Sequence, residues 1–175
     1  ILAGSSAVQA EDCSTVEDFG NLLVKRFQQF YEESELLVPA AAHCLSEESD
    51  RLAMLGSIVD KSHRNAVNIL KNQITETAWL PLWARGIEHQ LKTNPTLYVD
   101  DSESSKQLRH NHQRITALAS SAFGAGFGGS CWALVHRVEA DEFLLQWRNA
   151  YDEAFPANDA REFFTTEPGP GAFLI

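Results

Sequence analysis

Four glycines fall within six residues, Gly124, Gly126, Gly128 and Gly129, and the runs on either side have the length and residue types of β-strands. Ala117–Phe123 and Cys131–Val138 are built of small, β-branched and aromatic residues, so the spacing predicts strand, glycine turn, strand. Side chains are missing where two backbones, or a backbone and a ligand, must approach closely. Successive amides in such a turn form an anion-binding nest. A bulge or a tight packing of two main chains would demand the same glycines. Gly124, Gly126 and Gly129 satisfy the spacing GxGxxG, but that dinucleotide fingerprint opens a helix, and here Cys131 to Val135 read as a strand. The P-loop pattern is absent too, because no Lys-Ser or Lys-Thr follows the glycines.

Most of the chain before this turn has a helical period. Ser14 and Glu17 form an expected capping box, and Phe19, Leu22, Leu23, Phe27 and Phe30 place one apolar face toward a core up to about Tyr31. Ser46 with Glu47 and Glu48 reads as a second helix start, and Leu52, Leu55, Ile58, Val59, Ala66, Ile69 and Leu70 carry that helix to about Gln73. A third begins near Thr75, with Ala78, Trp79 and Leu82 on its apolar face and Pro81 either in its first turn or at a kink. The stretch from Gly86 to Arg114 sustains no period and reads as an exposed insert, acidic at Asp100 to Ser105 and basic from Lys106 onward. After the glycine strands, Ala140, Phe143, Leu144, Trp147 and Tyr151 mark an amphipathic helix. Arg161–Thr166 and Ala172–Ile175 read as two short strands across a Pro-Gly turn. Helices followed by a strand-rich unit argue an α+β fold in one domain, residues 1–175.

Charge and cysteines narrow the partners. Fourteen Lys plus Arg against twenty-four Asp plus Glu leave a formal net charge of -10, the wrong sign for gripping nucleic acid or an anionic membrane along a basic face. The longest apolar run, Leu36 to Ala42, is seven residues and contains Pro39, against about 20 for a bilayer span. Cys13, Cys44 and Cys131 are odd in number and unpaired by any CxxC, as expected of reduced thiols in the cytoplasm, and no zinc motif is written. The opening Ile1 to Ala10 stretch has no methionine and no charged n-region, and resembles a cut fragment more than a signal peptide.

The run from Ala119 to Val135 resembles the third conserved motif of the GHMP small-molecule kinases, and its Gly-Ala-Gly-Phe-Gly-Gly form is most similar to that of galactokinases. Phe27 to Leu55, leading into Gly56 and the Ser62-His63 pair, resembles the galactokinase segment of two helices before a Ser-His pair. Thr75 to Leu80 and Phe163 to Ala172 resemble the helix and last strand pair that follow. The similarity spans about Lys25 to Leu82 and Ala117 to Ile175, the carboxy-terminal half of a galactokinase. The chain departs from the family at Ser121 and Phe123, where a basic residue and a Thr are usual, and at Ser130, where a Cys is usual. Gly86–Arg114 has no counterpart; it is a lineage-specific loop or translated intron sequence.

The resemblance implies a GHMP carboxy-terminal domain, helices on a small ferredoxin-like antiparallel sheet. It implies a sugar 1-kinase that moves the γ-phosphoryl group of ATP to the anomeric hydroxyl of galactose or a related sugar with Mg2+. The galactose motif, the phosphate loop, the catalytic Asp and Arg and the metal ligands are expected in an amino-terminal half of the same protein. The fragment by itself is expected to be inactive, and no catalytic residue is expected within it. Its contribution to the ATP and sugar cleft is Gly124, Ala125, Gly126, Phe127, Gly128, Gly129 and Ser130. A galactokinase-like sugar and ATP sensor without turnover is the alternative, and a fragment acting only through packing is a third reading. Ser62 and His63 are either cleft residues or packing positions. His110 with His112 and Asp100 with Asp101 read as a solvated loop without a third metal ligand. Trp132, Phe143 and Trp147 are expected in the core.

Overall fold

The computed structural model describes residues 15–46, 52–88, 91, 114–124, 128–156, 161–167 and 169. Helix α1 (Val16–Tyr31) starts at Thr15, not Ser14: the Thr15 hydroxyl accepts from the Asp18 amide at 3.0 Å, and Asp18 Oδ2 accepts from the Thr15 amide at 3.1 Å. The capping box is therefore one residue later than the sequence predicts, because Asp18 reaches back as well as Glu17 would. The chain then widens into a π turn, Glu32–Leu37, and continues as α2, Val38–Ser46. Pro39 explains the widening. It has no amide proton and its ring crowds the carbonyl four residues back, so a turn of larger radius lets the helix pass it. The Val38 amide accordingly donates to the Glu33 carbonyl, five residues back.

Two expectations fail in this first part. Ser46 is the last residue of α2 and its hydroxyl donates to the His43 carbonyl at 3.0 Å, so it ends a helix instead of starting one. The apolar stripe of α1 does not face the core: Phe19, Leu23, Phe27 and Phe30 are all more than half exposed, and no residue of α1 is buried. Periodicity reports that a stripe exists, not what covers it.

Helix α3 (Leu52–Asn65) runs into a second π turn, Ala66–Leu70, and stops at Lys71, whose φ of 51° is left-handed. Helix α4 (Thr75–Ala84) contains Pro81 well past its first turn. Pro81 leaves the Thr77 carbonyl without its helical donor, and the Cys131 thiol of the neighbouring strand faces that oxygen at 3.9 Å. Strands β1 (Ala119–Ala122) and β2 (Cys131–Leu134) form an antiparallel ladder with Ala119 opposite Leu134 and Ala122 opposite Cys131. A 3-10 turn, Arg137–Glu139, leads into α5, Ala140–Ala154. The architecture is α+β.

The core lies where α4, the hairpin and α5 meet. Ala84, Ala117, Phe143 and Trp147 are buried together, and Cys131, Ala133, Val135 and Phe163 pack against them. Trp147 keeps its indole proton satisfied on the Leu80 carbonyl at 3.1 Å. Phe143 and Trp147 are core residues as expected, whereas Trp132 is half-buried and pairs with Phe123 on the hairpin. Residues 161–167 make no strand. Phe163 is used instead as an aromatic anchor, edge-on to Trp147 at 5.6 Å and beside Tyr151 at 5.8 Å. Ala172–Ile175 lies outside the described residues.

The ends of the Gly86–Arg114 stretch are not exposed. Gly86 to Glu88 and Arg114 are half-buried, and the Arg114 guanidinium pairs with Glu88 at 2.7 Å and lies 4.0 Å over the Trp83 ring. His110, His112, Asp100 and Asp101 lie outside the described residues.

Candidate functional site

The ladder bonds of β1 and β2 end at Phe123, whose amide donates to the Ser130 carbonyl at 2.8 Å, so the glycine turn is a closed hairpin loop. Gly124, Gly128 and Gly129 have φ of 68°, 107° and 102°. Such angles favour glycine, so backbone conformation is what calls for it here; a Cβ at Gly124 or Gly129 would meet open space, and the close approach expected from composition is not seen at the described glycines of the turn. Gly124, Gly129 and Ser130 are exposed; Gly128 is half-buried with Ile74 beneath it. Ala125, Gly126 and Phe127 lie outside the described residues.

Gly124 stands at the rim of a polar cleft of about 180 Å³. Gln29 of α1 and Glu33 of the first π turn form one wall, and Ser62 and His63 of α3 form the floor. Asn72 and Gln73, which follow the second π turn, close a side, and Ser121 and Ala122 of β1 lead to the glycine turn. Both π turns thus flank the cleft. The extra residue in each wide turn re-aims the side chains that follow, a habit of helices near functional sites.

The Ser62-His63 pair is brought to the glycine hairpin, which the sequence left open. The Ser62 hydroxyl donates to Glu33 Oε1 at 2.6 Å. His63 is 1% exposed and its Nε2 lies 3.2 Å from the Ala78 carbonyl oxygen. A carbonyl only accepts, so the proton sits on Nε2 and Nδ1 is left as an acceptor. Nδ1 is 3.5 Å from the Ser121 hydroxyl, a long contact that aims the hydroxyl proton at the ring. Beside the cleft, the Asn65 side-chain amide and then the Lys61 ammonium hold the Glu32 carboxyl below its usual range.

Burial pushes the His63 imidazole down from its ordinary range, against the opposing pull of the Ala78 carbonyl and the Asp60 carboxylate. A group neutral in the folded state and free to ionise in the unfolded one destabilises the fold as pH falls. Stability is therefore expected to drop below about pH 6.5, by at most about 1.4 kcal/mol per pH unit for this one group. Thermal melts at pH 7.5 and 5.5 check it: His63→Gln should lose less between the two than the parent chain does. An equal loss in both would mean that His63 does not couple to folding.

The Cys131 thiol is pushed up to about 12 by burial alone, which makes it an inert packing group and not a nucleophile. No group of three or more His, Cys, Asp or Glu side chains among the described residues could hold a metal, and no described helix is long and apolar enough to cross a membrane. Comparison with protein families, with curated proteins and with solved structures finds no match to this chain.

Proposed function

We propose that the chain is the carboxy-terminal part of a galactokinase-like sugar 1-kinase of the GHMP family, working in the cytoplasm on ATP and galactose or a related monosaccharide. One observation carries the reading: the glycine-rich turn that resembles the family's third motif sits, with left-handed glycines, at the rim of an accessible polar cleft. A turn buried under other elements would have had only a packing role. The α+β arrangement suits the family's ferredoxin-like carboxy-terminal domain, and the unpaired thiols of Cys44 and Cys131 suit a reducing compartment.

In this reading the main-chain amides of the turn line the phosphate tail of ATP and position it against the sugar, since phosphoryl transfer depends chiefly on alignment and charge stabilisation. The hydrogen bond from the Phe123 amide to Ser130 holds the base of the turn, and His63 holds Ser121 at the end of β1. In such an enzyme the magnesium ligands and the base that activates the sugar hydroxyl belong to the amino-terminal half, as the family resemblance implies.

The test joins the chain to its native upstream half and measures ATP-dependent phosphorylation of galactose, arabinose, galacturonate and N-acetylgalactosamine. Gly124→Val forces a β-branched residue into φ 68° at the cleft rim and should lower kcat/KM about a hundredfold. An unchanged rate would remove the turn from the site. Saturable sugar and ATP binding without turnover would select the sensor.

A further inference from the structure

One side-chain arrangement beside the cleft has no part in phosphoryl transfer. The Ser121 hydroxyl of β1 meets the His63 imidazole of α3, and the far side of that ring meets the Ala78 carbonyl of α4. In that order they are a nucleophile, a base and the group that orients the base. The Ala78 oxygen can only accept, so it fixes the imidazole proton on Nε2 and leaves the Nδ1 lone pair for the Ser121 hydroxyl. Their separation of 3.5 Å exceeds the working reach of about 2.6–3.2 Å, a looseness common to such pairs before substrate arrives. Burial keeps the imidazole neutral at pH 7, so the lone pair is available to take a proton. Ser121 is half-buried and lines the cleft, whereas His63 is sealed beneath it at 1% exposed. A substrate entering the cleft therefore meets the hydroxyl, with the base shielded from bulk water.

Donors for a developing oxyanion belong to the same cleft. The Phe123 amide is turned toward Ser130 of the facing strand, so in an extended strand the Ala122 amide is turned to the opposite edge, and Ala122 lines the cleft. The amide that follows the nucleophile is the usual first donor of an oxyanion hole. Gln29 of α1, on the wall, carries a side-chain amide as a second. Glu33 lines the space and no Lys or Arg does, so a neutral acyl group suits it better than an anionic one. Room for about six waters, at about 30 Å³ each, is the scale of a small ester.

The geometry points to Ser121 as an acyl-accepting nucleophile with His63 as its general base, and to the cleft as a hydrolase site for small neutral esters. This activity needs neither ATP nor an upstream half, and it goes beyond the kinase reading. His63 Nδ1 takes the hydroxyl proton as Ser121 Oγ bonds the acyl carbon, and the carbonyl electron pair moves onto its oxygen. The bond to the alkoxy group then breaks, and the leaving oxygen takes the proton from Nδ1 to depart as an alcohol. Water attacks the acyl-Ser121 carbon in the same way, gives its proton to Nδ1, and releases the carboxylic acid as Ser121 Oγ recovers that proton. The Ala78 carbonyl and the Asp60 carboxylate stabilise the imidazolium formed on the way.

The 175-residue chain is mixed with p-nitrophenyl acetate, nitrophenol release is followed by absorbance, and the acylated chain is digested for peptide mass spectrometry. A burst approaching one nitrophenol per chain is expected, then slower turnover, with the acetyl group on the Ser121 peptide. Ser121→Ala should abolish the burst; it gives up only the long contact to His63 and should melt with the parent chain. His63→Gln should slow acylation about a hundredfold or more. Because that variant also touches the fold, the position of the acetyl group in the parent chain is the independent measurement. The p-nitrophenyl half-ester of succinate should acylate more slowly than the acetate, since its carboxylate meets Glu33. Acetyl found on a lysine, on Ser62 or nowhere would overturn the assignment. So would a burst that survives in Ser121→Ala, acylation at the parent rate in His63→Gln, a preference for the succinate, or a burst with no later turnover.

Discussion

Replacing Arg85 by Ala should destabilise the chain by about 3–5 kcal/mol, the range for removing one partner of a buried ion pair. Arg85 follows α4, and its guanidinium meets the Asp60 carboxylate of α3 with two bonds, Nε to Oδ1 at 2.9 Å and Nη2 to Oδ2 at 3.1 Å. Its Nη1 donates to the Ala117 carbonyl at the entry to β1. One side chain therefore joins α3, α4 and the hairpin. Asp60 is 7% exposed, so without Arg85 its charge would stay buried and unpaired. Urea unfolding measures the loss. Arg85→Met with Asp60→Leu should recover most of it, because the desolvated charge disappears with its partner. A loss below about 1 kcal/mol in Arg85→Ala would mean that the pair is as weak as a surface one. Asp60 lies one helical turn before His63 on α3, so the same variant should also loosen the His63–Ser121 contact at the cleft.

Gly56→Ala should cost about 3 kcal/mol, although alanine is the better helix former by about 1 kcal/mol. Gly56 lies inside α3, and a Cβ there would overlap the Leu118 carbonyl oxygen and come within 2.7 Å of Arg85 Nη2. The first obstacle is backbone, which cannot swing aside as a side-chain tip can. Either α3 moves off β1 or the strand entry shifts, and both carry the floor of the cleft with them. Denaturant unfolding reads the change, and a neutral or stabilised Gly56→Ala would show that α3 and β1 are not in close contact.

The legible and illegible parts of this molecule divide along physical lines. Helix α5 and the strand, glycine turn, strand unit were readable because each is specified locally. Phe143, Trp147 and Tyr151 repeat at helical spacing, and four glycines between β-forming runs allow few conformations. The start of α1 was missed by one residue because Ser14 and Thr15 are both good caps, each followed three residues on by a carboxylate. Arg161–Thr166 has strand composition, but Trp147 and Tyr151 offer Phe163 an aromatic face, and packing overrode propensity.

The cleft was the least legible part. Gln29, Glu33 and Gln73 carry no motif, and Ser62-His63 on an amphipathic helix reads as a packing pair before it reads as a cleft pair. Composition and local spacing by themselves determined the α+β class, the helical stretches other than α2 and the bare turn, since these depend on neighbours within a few residues. Only the tertiary structure decided that His63 lies against Ser121, 58 residues on, that Gly56 admits the Leu118 backbone, and that the face of α1 stays uncovered. Such contacts depend on how far the chain has closed on itself, and no periodicity along the sequence encodes that distance.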